Sequence, residues 1–77
     1  MLVPEQCRAA RGLLNWTQVD LHRNSEVGLS TIRSFEAGQR NPIRANLAAI
    51  KSALEAAGVE FTNGGQPGVR MRREAKC

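Results

Sequence analysis

The sequence predicts a mainly α fold of four to five short helices followed by a short C-terminal β-strand or hairpin. Three observations carry that expectation. From Pro4 to Ala57 the chain is alanine-rich with apolar residues at helical spacing. From Gly58 onward apolar and polar residues alternate between glycines. The punctuation at Gly28, Gly38, Asn41-Pro42 and Gly58 cuts the first region into short pieces. At 77 residues the chain is one domain at most, read as a helical body over 1–58 and a strand extension over 59–77.

The first helix begins at Pro4, whose missing N–H has no helical partner in a first turn anyway, with Glu5 beside it at the positive end of the dipole. It runs to about Leu14, and Val3, Cys7, Ala10 and Leu14 fall on one face. Asn15 and Trp16 break it, and Trp16 is read as a core residue rather than a stacking platform. Thr17-Gln-Val-Asp20 has the spacing of a capping box, with the Thr17 hydroxyl accepting from the next turn and Asp20 reaching back. The second helix starting there is short, because Asn24 and Ser25 are poor helix formers and Gly28 offers a new start. A third helix spans about Leu29 to Ala37 and stops at Gly38. A fourth spans about Asn46 to Ala57, presents Leu47, Ile50 and Leu54 at helical spacing, and ends at Gly58. Beyond it Val59 and Phe61, then Val69 and Met71, alternate with polar residues, so each pair marks a strand with one apolar face. Two strands alone are marginal in water and need a surface to lie against.

An apolar content of 42% and a charged content of 23% fit a globular chain, and three aromatics leave the core to aliphatic side chains. Eleven Lys and Arg against seven Asp and Glu give a net charge of +4. Most of the basic residues are Arg, whose planar fork suits phosphate and guanine, so a polyanion is the expected partner. Arg70, Arg72, Arg73 and Lys76 face only Glu74 at the end, which is read as a solvated tail with non-specific phosphate attraction. No apolar run is long enough for a transmembrane helix or a signal core, so a cytoplasmic location and no membrane partner are expected. Cys7 and Cys77 lack CxxC spacing and His22 stands alone, so no metal, cofactor or disulfide framework is expected. HExxH, GxSxG and GxxxxGK[ST] are all absent, and an enzyme is not expected.

Winding the third helix at about 100° per residue from Ile32 sets Phe35 at about 300°, so that these two face the core. On the same wheel Arg33 falls at about 100°, Ser30 at about 160° and Ser34 at about 200°. Two small hydroxyls and an Arg make a face that can enter a major groove about 12 Å wide, where Arg can hold guanine O6 and N7.

The segment from Gln18 to Gly38 resembles the Cro/CI (Xre) type of helix-turn-helix regulator, and the resemblance covers roughly Val3 to Gly58. Its signature is carried by Gln18, Leu21, Val27, Ile32, Glu36 and Gly38, scattered over two helices and the turn between them. Two positions depart from it: His22 stands where the family has Ala, and Glu26 stands in the turn where it has Gly. A Glu in a left-handed turn costs on the order of 1 kcal/mol, so some strain is expected there.

The resemblance implies a lambda-repressor-like domain that binds double-stranded DNA. It places a base-contacting side chain at Leu29, beside Ser30, Arg33 and Ser34 of the wheel face, where Leu29 would touch a thymine methyl or only the sugar edge; the alternative is that Leu29 packs on the domain edge. It places Gln18 on a phosphate at the start of the second helix, with Thr17 and Gly28 completing the surface at the two helix starts. Arg40, Asn41 and Arg44 match a loop that flanks the groove, where such residues grip the backbone or reach the minor groove. Arg11 and Glu36 correspond to an Arg–carboxylate pair that ties the first helix to the end of the third and leaves an edge of Arg11 for a phosphate.

One such module discriminates few base pairs, so a homodimer on an inverted-repeat operator is expected, regulating by occupancy alone. The dimer surface is read as Leu54, Val59, Phe61, Val69 and Met71, on the ground that so short a chain completes its core only with a second copy. The alternative reading keeps the fold but makes the chain a protein-binding module, an antitoxin or anti-activator, docking through the same tail.

Overall fold

The computed structural model describes residues 2–62 and 68–71. Helix α1 (Pro4–Leu14) leads to α2 (Gln18–Ser25), α3 (Leu29–Glu36) and α4 (Arg44–Ala56), and the chain then forms the antiparallel strands β1 (Val59–Thr62) and β2 (Gly68–Met71). The architecture is the expected one, mainly helical with a C-terminal hairpin. The connection from Asn63 to Pro67 and the tail residues Arg72, Arg73, Lys76 and Cys77 lie outside the described residues.

Local chemistry accounts for the helix ends. Pro4 opens α1, and the Gln6 side chain accepts from the Val3 N–H at 3.1 Å, which is half of a capping box. Asn15 closes α1 in a left-handed conformation (φ 59°), which Asn tolerates, and the Trp16 N–H returns to the Arg11 carbonyl at 2.9 Å. The expected capping box of α2 is complete: the Asp20 N–H donates to Thr17 Oγ1 at 3.1 Å and the Thr17 N–H to Asp20 Oδ2 at 2.9 Å. Helix α4 starts at Arg44, earlier than the expected Asn46, because the Ile43 carbonyl takes the N–H groups of both Asn46 and Leu47 (3.0 and 3.1 Å). Gly38 (φ 75°) ends the α3 region in the conformation that favours glycine.

The core is one aliphatic cluster within a single copy. Leu21, Ile32, Phe35, Ile50, Leu54 and Val59 are its largest buried side chains, with Cys7 and Ala10 of α1 closing it from the other side. The wheel expectation for α3 holds, since Ile32 and Phe35 are both buried while Ser30 and Arg33 are exposed.

The hairpin pairs Val59 with Met71 and Phe61 with Val69, so the four apolar residues share one face, while Glu60 and Arg70 pair across the other (Oε1 to Nε 2.8 Å). That apolar face packs on α1 and α4 of its own chain, and the Gln6 Nε2 amide donates to the Gly68 carbonyl at 3.1 Å. Two members of the expected dimer surface must therefore be corrected. Leu54 and Val59 are 0% and 1% exposed and have no surface to give a second copy. Phe61 and Val69 are half-buried against the core, and only Met71, 42% exposed, is open. The helical body supplies the surface that the strands need.

Candidate nucleic-acid interface

The expected site residues fall at three places along the chain: the start of α2, the start and outer face of α3, and the loop from Arg40 into α4. At the first, Thr17 is exposed and Gln18 half-buried. The Thr17 oxygen is already the acceptor for the Asp20 N–H, which leaves its O–H to donate outward. At the second, Gly28 is exposed and Leu29 half-buried, while Ser30 and Arg33 point to solvent and Ser34 is half-buried. A Cβ on Gly28 would meet only Thr31 Oγ1 at 3.7 Å, an ordinary contact, so glycine here is a matter of surface shape and not of room. At the third, Arg40, Asn41 and Arg44 are all exposed.

The turn between α2 and α3 shows how the two departures from the helix-turn-helix signature fit together. Glu26 sits in the left-handed region (φ 62°, ψ 21°), as the resemblance implies, and its N–H bonds the His22 carbonyl at 2.9 Å. His22 Nδ1 lies 2.7 Å from the Val27 carbonyl; a carbonyl only accepts, so this ring nitrogen carries the proton. Ser25 completes the brace, donating to the Leu21 carbonyl (2.7 Å) and accepting from the Val27 N–H (3.2 Å). A larger residue at position 22 thus spans the turn that Glu26 strains.

Glu36 organises the cluster behind this surface. Its carboxylate is 3% exposed and receives the Arg11 fork, Nε to Oε2 at 2.7 Å and Nη2 to Oε1 at 2.6 Å. Gln18 Nε2 donates to Oε1 at 3.0 Å and the Cys7 thiol to Oε2 at 3.0 Å, and Arg8 caps the Glu36 backbone carbonyl. Burial pushes the carboxyl up, but the hydrogen bonds from Arg11, Cys7 and Gln18 and the Arg11 charge outweigh it and hold Glu36 below its ordinary value. The same contact raises Arg11, whereas burial first, then the hydrogen bond to Glu36, lifts the Cys7 thiol far above its usual range. Cys7 is therefore a neutral donor and not a nucleophile.

Arg11 and Gln18 are thus oriented inward before any ligand arrives. Arg11 also gives Nη1 to the Trp16 carbonyl at 3.0 Å, so three of its N–H groups are committed to the protein. Gln18 keeps one amide N–H after serving Glu36. Gln6, Cys7 and Arg8 were not expected in any polar role. Gln6 carries the one local signal, standing three residues after the cap position Val3. Nothing near Cys7 or Arg8 in the sequence points to a residue as distant as Glu36.

The electrostatic outcome is simple. Between Val27 and Lys51 the chain has one acid, Glu36, and that acid is buried and neutralised. Every exposed charge in this stretch is positive, and three of them are Arg33, Arg40 and Arg44. Among the described residues no group of three or more His, Cys, Asp or Glu can hold a metal ion, and no helix is long and apolar enough to cross a membrane. No family model matches the chain, and no curated protein matches it.

Proposed function

We propose that the chain is a sequence-specific DNA-binding regulator of transcription of the Cro/CI type, acting in the cytoplasm as a dimer on an inverted-repeat operator. The observation that carries this reading is the acid-free surface of α3 and the loop after it. Arg33, Arg40 and Arg44 stand exposed there, and the one carboxylate of the segment is locked inside by Arg11. Small side chains at Gly28, Ser30 and Ser34 let α3 approach a base edge closely, with Arg33 as the guanine reader and Leu29 at the thymine side. Gln18, Thr17 and the free N–H groups at the start of α2 take one phosphate, and Arg40, Asn41 and Arg44 take the backbone on the far side. The fork on Glu36 fixes Arg11, whose two remaining N–H groups are assigned to a phosphate.

Size supports the dimer. One copy measures 34 × 29 × 19 Å, so two copies set along the longest axis fit half-sites one turn of B-DNA apart, roughly 34 Å. With Leu54 and Val59 inside the monomer, the contact is assigned to Met71 and the neighbouring open edge of the hairpin.

Selection of bound duplexes from a random pool tests the reading. A two-fold repeat of short half-sites supports partner, symmetry and spacing at once. Recovery of no enriched sequence at moderate salt, with binding that vanishes as salt rises, sinks sequence-specific recognition.

A further inference from the structure

An apolar groove of about 640 Å³ shares Asn41 and Arg44 with the proposed DNA surface, and its apolar lining has no role in that reading. Leu2, Val3 and Pro4 line it together with the buried Phe35 and Pro42. Helix α4 adds a single stripe, Arg44, Leu47, Ala48 and Lys51, at the i, i+3, i+4, i+7 spacing of one helix face. The volume is in the range of small-molecule sites, about 300–1,000 Å³.

Charge decides the occupant. No carboxylate lines the groove, while Arg44 and the Asn41 amide stand together at one end and Lys51 at the other. Lys51 already has Glu55 at 4.0 Å, an exposed pair of little worth, so the Arg44 end is the less satisfied one. A second copy seated here across a two-fold would set Arg44 and Lys51 against the same cations with no acid from the groove to meet them.

We infer that the groove binds a fatty-acid-like carboxylate, its alkyl chain over Leu2, Phe35 and Leu47 and its carboxylate on the Arg44 fork and the Asn41 amide. A guanidinium and an amide both donate to a carboxylate, and the apolar lining favours removing the alkyl chain from water. The same two side chains are assigned above to the DNA backbone, so the ligand and DNA compete for them. That competition rests on the DNA-binding reading, whereas ligand binding does not.

The test is a titration of the full chain, without DNA, followed by ¹H–¹⁵N correlation spectra. The probes are decanoate, decanol and decyltrimethylammonium, each below its micelle-forming concentration. Saturating shifts confined to Leu2, Leu47, Ala48 and their neighbours are expected for decanoate, with decanol about tenfold weaker because it lacks the charge-assisted contacts. Arg44→Gln, an exposed substitution, is expected to weaken decanoate about tenfold and leave decanol unchanged. Equal affinity for decanoate and decanol, or shifts elsewhere in the chain, overturns the site. Groove resonances that move with protein concentration alone assign it to a second copy and also overturn it. A separate anisotropy measurement adds saturating decanoate to the DNA complex; DNA that stays fully bound overturns the competition.

Discussion

The Arg11 guanidinium and the Glu36 carboxylate meet fork to fork, at 2.6 and 2.7 Å, and join the first helix to the end of the third. The geometry is bidentate and the carboxylate is buried, so this contact differs from the exposed Glu60–Arg70 pair, which contributes little. Its main effect is positional. It fixes the end of α3 against α1 and turns Gln18 of α2 toward the same acid, so three helices share one polar centre.

Removing the acid is expected to be costly. Glu36→Ala leaves the buried donors of Arg11, Gln18 and Cys7 without their acceptor, a loss of about 2–4 kcal/mol that a small domain hardly tolerates. Urea melts check it. A loss below about 0.5 kcal/mol, the size of an ordinary surface change, sinks the claim that Glu36 organises the cluster.

The same acid shapes the response to low pH. Its folded pKa is depressed, so its contribution is fully present above the ordinary value of 4.5 and is lost as pH falls through the lower folded value. Melting temperatures followed from neutral to strongly acidic pH are expected to fall more steeply for the wild type than for Glu36→Gln, which cannot titrate there. Parallel curves for the two proteins would falsify this assignment.

A third outcome concerns the turn. Glu26 holds φ 62°, where glycine has no penalty, and its side chain is exposed, so Glu26→Gly is expected to stabilise the chain by about 1 kcal/mol. His22→Ala removes the bond to the Val27 carbonyl and is expected to destabilise by about 1 kcal/mol. The pair should couple in a double-mutant cycle, with His22→Ala costing less when position 26 is glycine. Additive effects would show that the His22 brace and the strained turn are independent.

Much of this was legible in the sequence, for a physical reason. The caps, stops and wheel positions of the helices depend on residues within one or two turns of each other, as at Thr17 and Asp20 or Ile32 and Phe35. The Arg11–Glu36 pair is implied only by the resemblance of the whole segment and not by either residue. What stayed hidden depends on distant partners: Gln6 bonds Gly68 and Cys7 bonds Glu36, and neither residue type announces a partner far along the chain. The packing of the hairpin is hidden in the sequence for the same cause. Its apolar alternation shows that Val59 is covered but cannot say by which copy, and the faces of α1 and α4 that cover it become visible only once the helices are assembled.

The burial of Val59 decides which variant can test dimerisation. Truncation after Gly58 would remove the buried Val59 and the Gly68 acceptor of Gln6, so a monomer obtained that way could simply be unfolded. Met71→Lys alters only an exposed side chain at the hairpin end. Sedimentation is expected to show a dimer for the wild type and a monomer for Met71→Lys at unchanged melting temperature. A dimer that survives the substitution removes the hairpin from the interface.

The last prediction separates reading bases from holding the backbone. Arg33 is exposed on the outer face of α3, one residue on from the buried Ile32, where its fork can reach guanine edges but has no partner of its own in the described chain. Arg40 is exposed after the helix has ended, in a loop that can follow a phosphate strand. Arg33→Ala is therefore expected to cost about 1–3 kcal/mol on the selected operator and to relax preference at one position, because the lost contacts are those of a single base pair. Arg40→Ala should weaken every duplex alike and flatten the salt dependence by about one unit of slope, as one fewer phosphate is neutralised. Binding of operator variants over a salt series distinguishes the two. If Arg33→Ala lowers affinity equally for all sequences, α3 is not the reading helix and the recognition surface must lie elsewhere.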